Sequence, residues 1–140
     1  MTAKEYLSQA AVLDKEINRK IDRLGDLEAL VTKTTSVLSA MPGGEKDDRL
    51  FENRMEKYLM LRDEVNADID RLIDLKQEIQ AVIDRLDNED ERTVLEEHYL
   101  HGKKYEDIAQ EKGYHWNSVS KICMRAVKKI EISENWDKKG

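Results

Sequence analysis

Tyr105-Glu-Asp-Ile-Ala109-Gln-Glu-Lys-Gly113-Tyr-His-Trp-Asn-Ser-Val119-Ser-Lys-Ile122 is the stretch on which the reading of the fold turns. Ala109, Gly113 and Val119 stand at offsets of four and six. A small residue at Ala109 lets a second helix cross closely. Gly113 accepts the left-handed backbone of a tight turn without a side-chain penalty. Beyond the turn, Val119, Ile122, Ala126, Val127 and Ile130 form an inner stripe at helical spacing. Trp116, Asn117, Ser120, Lys121, Met124, Arg125 and Lys128 then face outward. The pattern predicts a helix-turn-helix whose second helix is shaped to enter a major groove.

Charge agrees locally and disagrees globally. The 140 residues carry a net charge of −6, yet residues 113–130 hold Lys121, Arg125, Lys128 and Lys129 and no Asp or Glu. Distribution matters more than the sum, and it permits a duplex partner on one face only. Lys121 and Arg125, one turn apart, are the preferred DNA-facing residues; whether Arg125 meets a guanine or a phosphate stays open. Asn117, Ser118 and Ser120 lie near the entering end of the helix. Trp116 suits a thymine methyl, the sugar backbone or a partner, or else the gap between helices. Met124 completes the outward face. Lys128 and Lys129, with Lys103 and Lys104 on the neighbouring loop, suit phosphates.

Upstream the chain reads as two long helices. From about Thr2 to Ala40 apolar residues recur near a 3.5-residue period, through Leu7, Ala10, Leu13, Ile17, Ile21, Leu24, Leu27, Val31, Thr34 and Leu38. Met41-Pro-Gly-Gly44 stops that run. A second follows to Leu86, through Phe51, Met55, Tyr58, Leu61, Val65, Ile69, Leu72, Leu75, Ile79 and Val82. Each spans about 60 Å at 1.5 Å per residue, and so short a connection makes them antiparallel neighbours. Two helices bury such stripes only in part, so self-association, with a dimer favoured, is expected through residues 1–86.

The expected architecture is therefore all-α: an antiparallel coiled-coil hairpin over 1–86 with its turn near 41–45, a helix-turn-helix domain over 87–132, and a frayed tail over 133–140. Asn88 with Glu91 three residues on fits a capping box ahead of a helix from about Glu89 to His101. Composition agrees, with 39% charged residues, 6% aromatics, one Pro and six Gly.

Other chemistries find little footing. No run approaches the roughly 18 apolar residues of a membrane span, and Met1 to Glu5 lacks the basic and apolar blocks of a signal peptide, so a cytoplasmic location is expected. The single cysteine, Cys123, excludes an internal disulfide and reads as a packed small residue. His98 and His101 lack the further ligands a zinc site needs. Asp68, Asp70, Asp74 and Asp84 fall on helical solvent positions. Tyr99, Tyr105 and Tyr114 read as core or edge packing. With no phosphate loop and no Ser/His/Asp set, no catalysis, metal or cofactor is expected.

The segment from Glu91-Arg-Thr-Val-Leu-Glu-Glu-His-Tyr-Leu100 through Arg125-Ala-Val-Lys-Lys-Ile130 resembles region 4 of sigma factors of the sigma-70 class. Val94, Leu95, Tyr99, Gly102, Tyr105, Asp107, Ile108, Ala109, Gly113, Val119, Arg125 and Ala126 fall on that pattern. The whole chain, including Leu38 to Gly44, is similar to small phage and prophage regulators that join a long coiled coil to this module, some of them late-gene or autolysin regulators. His98 stands where Arg is usual, His115 where a capping Ser is usual, and Trp116 follows it. No counterpart of the region that contacts core polymerase is present, so a complete sigma factor is not expected. The resemblance implies a DNA-binding transcription regulator, with RNA polymerase as a further partner. Two alternatives stay open: an adaptor that binds a protein of the transcription machinery without touching DNA, and an oligomeric phage DNA-packaging recognition protein.

Overall fold

The structure, a computed structural model, describes residues 1–40 and 49–133. The expected turn near 41–45 and most of the expected frayed tail lie outside the described residues. The protein is all-helical, with no strand among the described residues. The described residues form five α-helices in order: α1 (Ala3–Ala40), α2 (Arg49–Asp84), α3 (Glu89–Leu95), α4 (Tyr105–Lys112) and α5 (Trp116–Ser133). Between α3 and α4 the chain makes a π-helical turn over Glu96–Leu100. The chain divides into two compact units, Asp14–Arg71 and Met1–Leu13 with Leu72–Gly140.

In the unit Asp14–Arg71, Ile17, Leu61 and Val65 are buried, and Leu24, Leu27 and Val31 are half-buried. Lys20 bonds Asp68 at 2.6 Å, and Arg54 Nη1 donates to Thr34 Oγ1. From Lys20 to Thr34 the contact advances fourteen residues in α1, and from Asp68 to Arg54 it retreats fourteen in α2. The two segments therefore run antiparallel.

Asp68 corrects the sequence reading, which placed it on the solvated side. It is buried on the stripe Leu61–Val65–Asp68–Leu72, where spacings of four, three and four put it inward. Lys20 reaches Asp68 and, at 2.8 Å, Glu64. Those two hydrogen bonds hold the Lys20 ammonium above its ordinary pKa. An inward polar pair of this kind fixes register, because a slip would bury an unpaired charge.

The other unit gathers Ala3, Tyr6 and Leu7 of α1 and Ile79, Val82 and Ile83 of α2 with the buried faces of α3, α4 and α5. Polar contacts tie these ends together. Tyr6 donates to Glu78 at 2.7 Å, Gln80 to Glu96 at 2.7 Å, Arg92 to the Leu86 carbonyl, and the Ala3 amide to Glu131 of α5.

Half of the expected capping box forms. Asn88, extended at φ −85 and ψ 123, accepts the Glu91 amide at 3.0 Å on its side-chain oxygen. The reciprocal arm is absent, because the Glu91 side chain turns instead to α5. The expected helix to His101 also changes form after Leu95. Its last turn widens, with the His101 amide donating to the Glu96 carbonyl at 3.0 Å and Lys103 to Glu97 at 2.9 Å. Gly102, at φ +71, lets the chain leave that turn.

Candidate nucleic-acid interface

α4 ends at Gly113, whose φ of 73 is the left-handed conformation expected there, and the Tyr114 amide closes the turn on the Ala109 carbonyl at 2.9 Å. Three residues on, α5 begins. Its first turn is capped by His115: the ring Nδ1 accepts the Asn117 amide at 3.3 Å and the main-chain oxygen accepts Ser118 at 2.9 Å. An imidazole thus supplies the helix N-cap.

α5 is cleanly two-sided. Val119, Cys123, Ala126 and Ile130 are buried, at spacings of four, three and four, with Ile122 and Val127 half-buried beside them. The opposite side exposes Trp116, Asn117, Ser118, Lys121, Met124, Arg125, Lys128 and Lys129; Ser120 is half-buried. Trp116 stacks loosely on His115, ring centres 6.1 Å apart, and is 52% exposed. It does not fill the gap between helices. Met124, two turns on, is 68% exposed.

The cations of this surface fall into two groups. Among the described residues Lys121 and Lys128 have no carboxylate partner, and Lys104 is exposed at the N-cap of α4. Arg125 and Lys129 both reach across to α3, where Glu91 Oε1 accepts Arg125 Nε at 2.9 Å and Lys129 Nζ at 2.7 Å. Their side chains remain 55% and 52% exposed, while the carboxylate beneath them has almost no accessible surface. Burial pushes the Glu91 carboxyl up, but the bonds from Lys129 and Arg125 and their charges outweigh it and hold it below the ordinary value. Glu91 is the residue that sequence reasoning missed here, since nothing local signals a partner so far along the chain.

Lys103, expected to suit a phosphate, makes two ion pairs within its own module. It braces the loop internally, 2.6 Å from Glu97 and 2.9 Å from Glu111. Those bonds raise the Lys103 ammonium and help keep Glu97 below its usual range. His98 sets its Nδ1 2.8 Å from the Lys103 carbonyl and stacks on Tyr105 with ring centres 4.3 Å apart. This imidazole organises the turn into α4.

Tyr99 is buried, Tyr105 is half-buried, and burial raises both phenols. The Cys123 thiol is likewise pushed up by burial, with Tyr105 Oη 3.5 Å away, which is the setting of a packing residue. Among the described residues no three His, Cys, Asp or Glu side chains gather where they could hold a metal ion. No described helix is long and apolar enough to cross a membrane. Comparison with protein-family models, curated proteins and solved structures finds no match.

Proposed function

We propose that the protein is a DNA-binding transcription regulator in which α4, the Gly113 turn and α5 act as a helix-turn-helix. One observation carries the reading: residues 113–130 place an acid-free, cation-bearing face outward on a helix whose other face is buried. Such a face neutralises phosphates while its entering end, Trp116 to Ser120, reaches base edges. The resemblance of residues 91–130 to sigma region 4 supports the same reading. The resemblance of the whole chain to small phage and prophage regulators is the sole support for a phage or prophage type.

Assembly belongs to this proposal as well. The antiparallel pairing of α1 with α2 supports a coiled-coil hairpin as the dimerising element. Exposed Leu30, Val37, Leu59 and Met60 give it apolar surface to cover, as does a groove of about 470 Å³ floored by Leu27, Met60 and Leu61. A dimer would present two α5 helices to half-sites one helical turn apart, or a multiple of that.

The test is salt-titrated binding of the full chain to duplex DNA. Lys121, Lys128, Lys104 and the net single charge of Arg125, Lys129 and Glu91 make four positive charges, so log affinity falls against log salt with a slope of roughly −3.6. Lys121→Ala with Lys128→Ala flattens that slope by roughly 2. Identical binding by the double variant would discard the assignment. A protein-binding adaptor is the second reading, and Trp116 and Met124 favour it, being large apolar side chains exposed on the same helix face. Absence of duplex binding at low salt selects that reading.

A further inference from the structure

Among the described residues Glu91 is the carboxylate with no accessible surface, and it sits on α3 directly beneath two cations of α5. Its Oε1 accepts both of them, while Oε2 makes no hydrogen bond among the described residues. A carboxylate so enclosed cannot swing away, so its partners are tied to a fixed point of the fold. Arg125 gives it only Nε. That one bond sets the plane of the guanidinium and leaves the edge carrying both terminal nitrogens for an outside acceptor. Lys129, one turn along, is tethered by the same oxygen, and the triad carries a net charge of +1. Flexible cations bind phosphates without regard to sequence or register, whereas fixed donors bind in one register and give up less freedom on contact.

We propose that Glu91 is a positioning residue for duplex recognition: it turns Arg125 and Lys129 into an ordered donor pair, so that α5 holds a selected sequence in register and random DNA only weakly. The proposal rests on the DNA-binding reading and adds a discriminating part to it. The acceptor opposite Arg125 is a planar pair of atoms, supplied either by a guanine edge or by the two free oxygens of a phosphate.

The experiment compares two probes at several salt concentrations: a short duplex enriched from a randomised pool by the wild-type full chain, and the unselected pool. Glu91→Gln keeps the shape and the Asn88 cap but removes the charge. It is expected to bind random DNA several-fold more tightly, with a salt slope steeper by about 0.9. Its preference for the selected duplex falls about tenfold. Arg125→Lys keeps the charge and loses the oriented fork, so preference falls while the slope stays, a pattern a merely structural defect does not give. Replacing guanine by 7-deazaguanine in the selected duplex tells the two acceptors apart: loss of the Arg125→Lys effect at one position assigns the base, and its retention throughout assigns the phosphate. A folded Glu91→Gln protein with wild-type preference and slope overturns the proposal, as does an unchanged preference in Arg125→Lys should Glu91→Gln fail to fold. A pool that never enriches, with random DNA still bound, overturns this proposal alone. Failure to bind either probe overturns the DNA-binding reading itself.

Discussion

Removing both cations above Glu91 leaves a buried charge without a partner, and the structure sets what that costs. Arg125 and Lys129 lie 2.9 and 2.7 Å from one carboxylate oxygen. Each is more than half exposed, so solvent screens it and the second cation still serves Glu91 when the first is lost. Arg125→Ala or Lys129→Ala alone should therefore cost about 1 kcal/mol. The double variant strips both compensating charges from a carboxylate that has no accessible surface in the wild type, which costs up to about 3–5 kcal/mol, above the sum of the singles. With an m-value of about 2 kcal/mol per molar urea, the unfolding midpoint falls by about 2 M, against about 0.5 M for each single.

The pH dependence follows with a definite sign. In the wild type the folded Glu91 pKa is below its unfolded value of 4.5, so the stabilisation is fully present above that value and is lost as pH falls through the folded pKa. Without the cations, burial alone raises the folded pKa, so the penalty is present at neutral pH and fades as the carboxyl protonates. Urea titrations followed by far-ultraviolet circular dichroism should show the gap between wild type and double variant narrowing from about pH 7 to about pH 4. A double variant no worse than the summed singles, or a gap independent of pH, would refute the reasoning.

Three further outcomes follow. Gly25→Ala should raise stability by about 0.5–1 kcal/mol in the same titration, because Gly25 lies inside α1 with nothing within 4 Å of an added Cβ. Asn88→Ala removes the acceptor of the Glu91 amide and should cost about 1 kcal/mol at the start of α3. A fragment of residues 87–140 should lack a cooperative unfolding transition, because the compact unit draws the fully buried Leu7, Ile79 and Ile83 from α1 and α2. Each of those side chains is worth about 1.5–3 kcal/mol when buried, comparable together with the whole stability of a small domain.

Local periodicity made the helices readable. The stripe Val119–Ile130 announced which face of α5 turns inward, and Gly113 announced the turn, because both signals need only neighbours in the chain. The residues that escaped act across it. Glu91 carried a local signature, the capping box, and its partners 34 and 38 residues away compete for the same side chain. Lys103 looked like a loop cation because its acceptors Glu97 and Glu111 flank it on different helices. Asp68 was misplaced for a related reason: Ile69 beside it satisfied the apolar pattern, although the Leu61–Val65–Asp68–Leu72 spacing turns the acid inward, where Lys20 meets it.

The outer face of α5 is the proposed point of contact with a duplex. Backbone amide spectra of the full chain, recorded while short duplex DNA is added, test that contact residue by residue. Shifts should concentrate on residues 116–129, with Lys121 and Arg125 among the largest, and should reverse on adding salt. Shifts that avoid α5, or spectra that DNA leaves unchanged at low salt, would contradict it.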